Sequence, residues 1–371
     1  MRVLVTGGAG FIGSHLVDAL LARGHEVRVL DALEAQVHGP ERKPPPWLPP
    51  AVDLRVADLR DRAAVRNALA DVEAVFHEAA AVGVGQSMYE IERYVSANTL
   101  GAAVLLEELV ERRGQLRRVV VASSMSLYGE GAYRDAEGRT VHPGLRPAAQ
   151  LEARRWEPED ARGRPLAPVP TPESAPIAPT SVYAVTKRDH EELFLAVGNA
   201  YGIPTVALRY FNVFGTRQAL GNPYTGVVAI FSSRLLNGRA PVLFEDGRQT
   251  RDFVHVSDVV AANLLAMEKD EAVGRIYNVG TGRATAIVEV AEALARALGV
   301  AVAPASTGQF RAGDIRHCFA DVERITRELG FEARTSLAAG LRELLGWLRT
   351  QAPEDRVAEA RGALERRGLA R

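Results

Sequence analysis

The chain has 371 residues, of which 47% are hydrophobic and 25% charged, and 45 basic against 46 acidic side chains give a net charge of -1. This length exceeds one compact core, so we expect two domains or one large domain with a substrate-binding lobe. The balanced charge gives no reason to expect nucleic acid as a partner. A single cysteine, Cys318, excludes an intramolecular disulfide and a multi-cysteine metal site. Because no apolar run is long enough for a signal peptide or a membrane span, we expect a cytoplasmic protein that contacts no membrane. We also expect no bound metal ion.

The first half of the chain alternates short apolar runs with amphipathic stretches. Runs rich in β-branched residues predict strands at 2–6, 26–31, 54–58, 72–77, 117–123 and 205–209. Helical periodicity between most of them predicts a doubly wound parallel α/β sheet, a Rossmann-type fold. Helices predicted at 226–237, 257–269, 287–298 and 336–349 would build a smaller C-terminal substrate-binding lobe.

Two proline-rich segments interrupt this rhythm. Residues 34–50 contain six prolines and residues 131–179 contain nine. We interpret the longer segment as a flap or lid near the active site, with disordered decoration an equal alternative. The sequence thus predicts a dinucleotide-binding domain at 1–214 with an insertion at about 131–179, a lobe at 215–350, and a charged tail at 351–371 that forms an exposed helix or no regular structure.

A glycine-rich turn follows the first predicted strand. Gly7, Gly10 and Gly13 permit a tight turn, let a pyrophosphate approach the backbone, and bring the next helix close, with Phe11 and Ile12 at its start. A tight turn with no ligand uses the same glycines, but the strand-turn-helix context favours a dinucleotide. Asp31, at the end of the second strand, could bind the ribose hydroxyls and would repel a 2'-phosphate, which favours NAD over NADP. Asp58 and Leu59, after the third strand, could meet the adenine, although a turn acid is the simpler interpretation of either aspartate.

A tyrosine and a lysine lie four residues apart at the start of a predicted helix. This spacing places Tyr183 and Lys187 on one face. Cations within ~4 to 6 Å typically lower a tyrosine pKa by about 1 to 3 units, so Lys187 and an oxidised nicotinamide would make the phenol a usable base. Hydroxyls of Ser124 and Ser126 follow the strand at 117–123, at the sheet edge where ligands of open α/β folds bind.

These motifs occur in a family's order, together with His77-Glu78-Ala79-Ala80, Asn98 and the segment from Arg209 to Gly215. Over about residues 1–350 the chain resembles the extended short-chain dehydrogenase/reductases of the nucleotide-sugar epimerase and dehydratase type. The resemblance implies that Tyr183 is the general base and acid, that Lys187 holds the nicotinamide ribose, and that Ser124 binds the reacting sugar oxygen. It also implies cofactor contacts from Ala79, Ala80, Asn98 and Tyr210, and substrate contacts from Ser126, Asn212, Phe244, Arg251, Arg311 and Asp314. A homodimer through helices at 92–113 and 180–201 is a further implication.

Departures from the family's motifs narrow the implied reaction. Met125 and Ser126 stand where 4,6-dehydratases of the family carry an Asp-Glu pair and where decarboxylases usually carry a glutamate. Cys318 lies outside the segment that double epimerases use. We therefore expect a 4-epimerase with retained NAD and a nucleotide-sugar substrate. Segments 36–40, 222–226 and 170–173 resemble the dTDP-L-rhamnose 4-epimerase-like branch. The alternatives are an NAD-dependent dehydrogenase or decarboxylase acting on a UDP-sugar or UDP-hexuronate, and a dinucleotide-sensing or scaffold protein without activity.

Overall fold

A computed structural model describes residues 1–311, 313–351 and 355–370. Its strands are β1 (Arg2–Thr6), β2 (Glu26–Asp31), β3 (Asp53–Val56), β4 (Ala74–His77), β5 (Arg118–Ser124), β6 (Ala132–Arg134), β7 (Thr140–Val141), β8 (Ala167–Val169), β9 (Thr205–Tyr210), β10 (Asn212–Phe214), β11 (Val242–Leu243), β12 (Thr250–Arg251), β13 (Phe253–His255), β14 (Ile276–Val279), β15 (Thr285–Ala286), β16 (Ala305–Ser306) and β17 (His317–Cys318).

Its α-helices are α1 (Phe11–Ala22), α2 (Ala35–His38), α3 (Arg62–Ala68), α4 (Val84–Ser87), α5 (Ile91–Tyr94), α6 (Gly101–Val110), α7 (Ala148–Glu152), α8 (Val182–Tyr201), α9 (Val227–Leu236), α10 (Val256–Glu268), α11 (Ile287–Leu298), α12 (Glu323–Leu329), α13 (Leu337–Leu348) and α14 (Val357–Glu365). A π-helical stretch, Val95–Leu100, joins α5 to α6, and short 3-10 turns lie at Arg113–Gln115, Met125–Tyr128 and Asp270–Ala272.

The central sheet has seven parallel strands in the order β14-β9-β5-β4-β1-β2-β3. All of the strands predicted in the first half of the chain lie within two residues of their observed bounds, and the predicted Rossmann-type α/β fold is confirmed. The chain runs outward from β1 to β2 and β3, then crosses back to β4, so the strand order reverses between β1 and β4. Ligands of doubly wound sheets bind at the carboxyl ends of strands beside such a reversal.

Both faces of the sheet are covered by helices. One apolar core joins the sheet to α1 and α10 and includes Leu16, Phe76 and Tyr277. The other joins it to α3, α6 and α8 and includes Leu105 and Phe194. Strands buried on both faces explain why the sequence shows continuous apolar runs rather than alternation.

The seventh strand comes from the second half of the chain. Residues of β14 pair with β9, from Ile276 opposite Ala207 to Val279 opposite Tyr210, and α10 packs against α1. The Rossmann sheet and its helices therefore extend past the domain boundary predicted at residue 214.

The smaller lobe has its own apolar core. Helices α9, α11 and α13 pack together through residues such as Phe231, Leu294 and Leu344. Strand β12 pairs with β15 and β17, while β10 pairs with β13. The four helices predicted in this half of the chain lie within two residues of their observed bounds.

The proline-rich insertion is an ordered module that packs on this lobe. It contains a three-stranded antiparallel sheet, β7-β6-β8, and the helix α7. Arg146, whose side chain is buried, donates to Glu245 at 3.0 Å and to the Trp156 carbonyl at 2.8 Å. His317 contacts Glu157 at 2.8 Å. These polar contacts fix the insertion to the lobe, so the prediction of disordered decoration is wrong. The prediction of a lid is also wrong, because none of the described residues 131–179 lines the cleft.

Across the part of the chain that the structure describes, every helix is too short or too polar to traverse a lipid bilayer.

Candidate active site

The glycine turn lies between β1 and α1 with almost no room for side chains. Gly7 has a φ of +70°, and a β-carbon there would lie 2.7 Å from the Ala79 nitrogen. A β-carbon on Gly13 would lie 2.3 Å from the Gly7 carbonyl oxygen. Gly10 precedes the first turn of α1 and has no side chain to cap it. The amide groups of Phe11, Ile12 and Gly13 therefore open the helix beside the cleft, and such helix N-termini attract phosphate.

Asp31 holds this turn from the end of β2. Its carboxylate accepts hydrogen bonds from the Ala9 amide at 3.0 Å and the Leu33 amide at 2.9 Å. It also lines the cleft, where its remaining lone pairs can accept from a ribose. Asp31 therefore both stabilises the turn and faces the cleft. The sequence had left these two roles as alternatives.

Asp58 and Leu59 line the same end of the cleft, and Arg60 joins them. Arg60 donates to both carboxylate oxygens of Asp58, at 2.6 and 2.8 Å, and this hydrogen bonding lowers the pKa of Asp58. The sequence interpretation missed Arg60, although it stands only two residues after the acid. Both members of this ion pair therefore line the part of the cleft where the adenine is predicted.

Asn98 is the one predicted cofactor residue that does not line the cleft. Ala79 and Ala80 do line it, but the Asn98 side chain lies behind them. Its Oδ1 accepts from the Ala81 amide at 2.7 Å and its Nδ2 donates to the Thr186 hydroxyl at 2.9 Å. Both ends of the amide are engaged with protein, so Asn98 fixes the loop after β4 against α8, and its cofactor contact stays a prediction.

Ser124, Tyr183 and Lys187 meet at the centre of the cleft, at the carboxyl end of β5 and the start of α8. Ser181 caps the N-terminus of helix α8, because its hydroxyl accepts from the Ala184 amide at 3.1 Å. The Lys187 ammonium donates to the Ala122 carbonyl at 2.8 Å. Ser126 also lines the cleft and donates to the Ser124 hydroxyl at 2.9 Å.

The protein alone does not acidify the phenol. Burial raises the pKa of Tyr183 to about 12, although a hydrogen bond with Ser124 partly opposes this. Burial also lowers the pKa of Lys187 to about 8, with the Glu78 carboxylate opposing. In the chain without cofactor, desolvation thus makes the phenol less acidic than a free tyrosine. The lowering predicted from Lys187 together with an oxidised nicotinamide stays a prediction for the holoenzyme.

Glu78 is a second acidic group that the sequence interpretation did not place. It lines the cleft and accepts from the Tyr210 hydroxyl at 2.7 Å. Tyr210, predicted as a cofactor contact, also lines the cleft and bonds with Asn263 of α10. Burial raises the pKa of Glu78 to about 7, against the influence of Tyr210 and Lys187. The backbone of Glu78 lies beside the Gly7 turn, since a β-carbon on Gly7 would lie 3.0 Å from the Glu78 carbonyl carbon.

The predicted substrate residues surround the other end of the cleft. Those that line it are Asn212, Phe244, Arg251, Arg311 and Asp314. Arg311 lies over the Phe244 ring at 4.6 Å and pairs with Asp314 at 2.7 Å, while Arg251 lies 3.5 Å from the same carboxylate. Burial would raise the pKa of Asp314, but Arg311 and Arg251 hold it below the usual range. The Asn212 Oδ1 is buried and has no hydrogen-bond partner among the described residues, which marks it as a group for a ligand.

The predicted C-terminal tail also reaches the cleft. Val357, Ala360, Arg361 and Leu364 of α14 line it, and Ala360 and Leu364 are buried. The interpretation of residues 351–371 as an exposed helix or tail is therefore wrong for this helix, while residues 352–354 and 371 lie outside the described part. The spacing i, i+3, i+4, i+7 was visible in the sequence, but nothing there identified the surface that it would cover.

Together these walls enclose about 700 Å³, running from the adenine end at Asp58 past Tyr183 to Phe244. The cavity lies at the strand-order reversal of the sheet and between the sheet and the smaller lobe. Its size and its convergent polar groups suit a large ligand together with a second, smaller one.

Comparison with known proteins identifies the family. The model of the NAD dependent epimerase/dehydratase family matches residues 3–149 and 161–280. The chain belongs to this family. The dTDP-L-rhamnose 4-epimerase of Burkholderia thailandensis is 37% identical over 349 residues, covering 94% of each chain.

Two solved structures extend the comparison with the epimerase/dehydratase family. The UDP-glucose 4-epimerase of Thermotoga maritima, solved with UDP-glucose, has a TM-score of 0.77 and 32% identity, with coverage of 94% of this chain and 99% of that chain. The UDP-glucose 4-epimerase of Thermus thermophilus, solved with NAD, has a TM-score of 0.72 and 33% identity, with coverage of 95% and 100%. These findings confirm the predicted resemblance, NAD as the cofactor and the assignment as a nucleotide-sugar epimerase.

Proposed function

We propose that the protein is a nucleotide-sugar 4-epimerase that inverts C4 of a dTDP-6-deoxyhexose such as dTDP-L-rhamnose through a 4-keto intermediate. The observation that carries this proposal is the convergence of Ser124, Tyr183 and Lys187 between a glycine turn at one end of a single cleft and two arginines at the other. NAD, when bound, supplies the hydride acceptor and donor that such an inversion requires.

The residues of the first half of the cleft fit NAD. Gly7, Gly10 and Gly13 leave the space beside the N-terminus of α1 free of side chains, which suits a pyrophosphate. Asp31 is placed to accept from the adenosine ribose, and Lys187 to donate to the second ribose. Ala79 and Ala80, which have only methyl side chains, line the cleft between the positions of the two riboses.

Tyr183 would take the proton of the C4 hydroxyl and return it after the sugar has turned over. At neutral pH its phenol needs a neighbouring positive charge, because burial holds its pKa at about 12. We infer that Tyr183 becomes a competent base only in the holoenzyme, where the oxidised cofactor adds a cation to that of Lys187. Ser124 would donate to the same sugar oxygen and keep it within reach.

Dehydration and decarboxylation in this family would need an acid or base at positions 125 and 126, where this chain has Met and Ser. Met125, which replaces the dehydratase aspartate, is buried and has no titratable group. The Ser126 hydroxyl is engaged with Ser124 at 2.9 Å. Dehydration across C5 and C6, and decarboxylation assisted by a glutamate, are therefore disfavoured relative to epimerisation.

The nucleotide diphosphate would bind at the lobe end of the cleft. Arg251 and Arg311 line this end, where they lie 3.5 Å and 2.7 Å from the Asp314 carboxylate, and their guanidinium groups could turn towards phosphate. Planar guanidinium groups suit two phosphates, and the Phe244 ring offers a face for a base. Binding through the diphosphate leaves the hexose free to rotate between the two hydride transfers.

The choice of dTDP-L-rhamnose is supported by the relative from Burkholderia thailandensis, which bears that activity in its name. Incubation of the purified protein with UDP-, dTDP- and GDP-sugars, followed by NMR of the products, tests the proposal. We expect inversion at C4 without net release of NADH, and Tyr183→Phe should abolish turnover while NAD stays bound. Stoichiometric NADH or carbon dioxide would contradict the epimerase assignment, and a preference for UDP-hexoses would contradict the substrate.

We also propose a homodimer formed through the helices at 92–113 and 180–201. Apolar side chains are exposed on both helices: Val95 is 42% exposed, Leu100 51% and Val185 43%. Large exposed apolar surfaces often mark interaction sites. Two copies related by a two-fold axis would bury it as a four-helix arrangement.

A further inference from the structure

The C-terminal strap, which we define as residues 355–370, crosses the open side of the cleft. It consists of α14 and the residues that flank it. At its start, the buried Asp355 carboxylate accepts from Arg234 at 3.3 Å and from Arg239 at 3.0 Å. At its end, Ala370 forms a backbone bridge with Arg311. Both ends are thus fixed to the smaller lobe.

Between these ends the strap touches the Rossmann domain. Leu364 packs on Gly85 so closely that a β-carbon at position 85 would lie 3.4 Å from its Cδ2 atom. Arg367 lies over the ring of Tyr89 at 4.2 Å. Arg361 donates to Gln309 of the lobe at 2.7 Å. The strap therefore bridges the two halves of the molecule across the cleft that holds Tyr183.

Leu364 marks the catalytic end of that crossing. Gly85, its contact, belongs to α4, and Ser87 in the same helix accepts from the Tyr183 amide at 3.0 Å. Asp355 lies at the opposite end, beside Arg234 of α9. The inner face of α14 therefore lines the cleft, and Leu364 contacts the short helix whose Ser87 is bonded to the Tyr183 backbone.

An apolar patch of the wall lies near Leu364 and is bordered by Tyr224, which lies against Gly83, and by Arg361 of α14. Val82, Gly83, Val84 and Gly85, which follow β4, line the cleft together with Leu364, and none of these five has a polar side chain. A sugar substituent that faces them meets only carbon and backbone. A methyl group gains from such contact, whereas a hydroxymethyl group must leave its hydrogen bonds to water.

We propose that the strap is part of the substrate site and that Leu364 selects hexoses whose C5 substituent is a methyl group. This inference rests on the proposed function, because it takes the ligand of this part of the cleft to be a nucleotide-linked hexose. The strap would then recognise the sugar rather than the nucleotide. It would also keep water away from the hexose during the reaction.

Hydrogen exchange of the full chain with NAD bound tests the location. Amide exchange is measured by mass spectrometry with no addition, with dTDP, and with dTDP-L-rhamnose. We expect peptides from 357–365 to exchange several-fold more slowly with dTDP-L-rhamnose than with dTDP. Equal exchange with the two ligands, or no slowing with either, would overturn the proposal.

Calorimetric binding of dTDP-6-deoxy-D-glucose and dTDP-D-glucose, which differ only in the C6 hydroxyl, tests the selection. We expect the wild type to bind the 6-deoxy sugar about tenfold more tightly, and Leu364→Ser to reduce this ratio to near one. Ala358→Ser changes an exposed position of the same helix and should keep the wild-type ratio. A ratio near one in the wild type, or a ratio that Leu364→Ser leaves unchanged, would overturn the selection.

Both measurements report binding rather than turnover. A protein that shows the expected protection and preference but interconverts neither sugar would refute the proposed 4-epimerase and support the strap assignment. A protein that epimerises both sugars with an unprotected strap would do the reverse.

Discussion

Replacing Gly13 by alanine tests the cofactor turn with one methyl group. The new β-carbon would lie 2.3 Å from the Gly7 carbonyl oxygen and 2.7 Å from the Gly8 Cα. Atoms of this kind are normally separated by about 3.5 Å, so the turn must open by roughly 1 Å. All the close atoms belong to the backbone, so no side-chain rotation can relieve the overlap.

Overpacking of this kind typically costs about 1 to 3 kcal/mol, and two backbone contacts place Gly13→Ala at the upper end. Opening the turn also moves the amides at the start of α1, so we expect NAD affinity to fall by at least about tenfold. Gly114→Ala is the matched control, because no atom lies within 4 Å of a β-carbon at that position.

The assay combines thermal unfolding, without and with added NAD, and titration of the protein with NAD. We expect Gly13→Ala to melt at a lower temperature and to gain less stability from NAD than the wild type, while Gly114→Ala matches the wild type in both. A Gly13→Ala protein with wild-type melting and wild-type NAD affinity would refute the reasoning about this turn.

Three further changes test the fold, the insertion and the interface. Arg209→Met should cost about 3 to 5 kcal/mol in chemical denaturation, because it leaves the buried Glu191 carboxylate without its bidentate partner; a loss below about 1 kcal/mol would contradict this. Burial opposes ionisation of Glu157, but His317 and Arg316 lower its pKa from the ordinary 4.5 to about 2. The ionised carboxylate therefore stabilises the fold fully at a pH above about 4.5, and this stabilisation is lost as the pH falls through about 2. Glu157→Gln should therefore destabilise by only about 1 kcal/mol at pH 7, since the carboxylate is partly exposed, and this difference should shrink at pH 3; a constant difference would exclude the titration. Val185→Glu should convert the proposed dimer to a monomer in light scattering, whereas the matched control Val273→Glu, which alters an exposed valine elsewhere, should remain dimeric.

The elements with strong local patterns could be predicted from the sequence. Apolar runs such as Val119 to Val121 identified buried parallel strands, and the three glycines of the turn identified the cofactor end of the cleft. Tyr183 and Lys187 lie on one face because four residues make about one helical turn. These features depend on spacing within a short window, which a sequence displays directly.

Features that depend on distant residues could not be predicted in the same way. Arg146 and Glu245 are 99 positions apart, so their buried contact, and with it the packing of the insertion on the lobe, had no local signature. The hydrogen bonds of the Asn98 amide with Ala81 and Thr186 likewise join residues that the sequence keeps apart. The raised pKa of Tyr183 in the chain without cofactor had no local signature for a related reason, because spacing shows the nearby cation and does not show the extent of desolvation.

The pairing of β14 with β9 limits how this enzyme can be recombined with its relatives. Since a strand from residues 276–279 completes the dinucleotide-binding sheet, the lobe enters the chain as separate stretches before and after that strand. A chimaera made with one crossover near residue 214 would import a foreign edge strand along with the new lobe. Exchange of substrate preference by domain grafting therefore requires junctions on both sides of Ile276–Val279, so that the native strand stays with its own sheet.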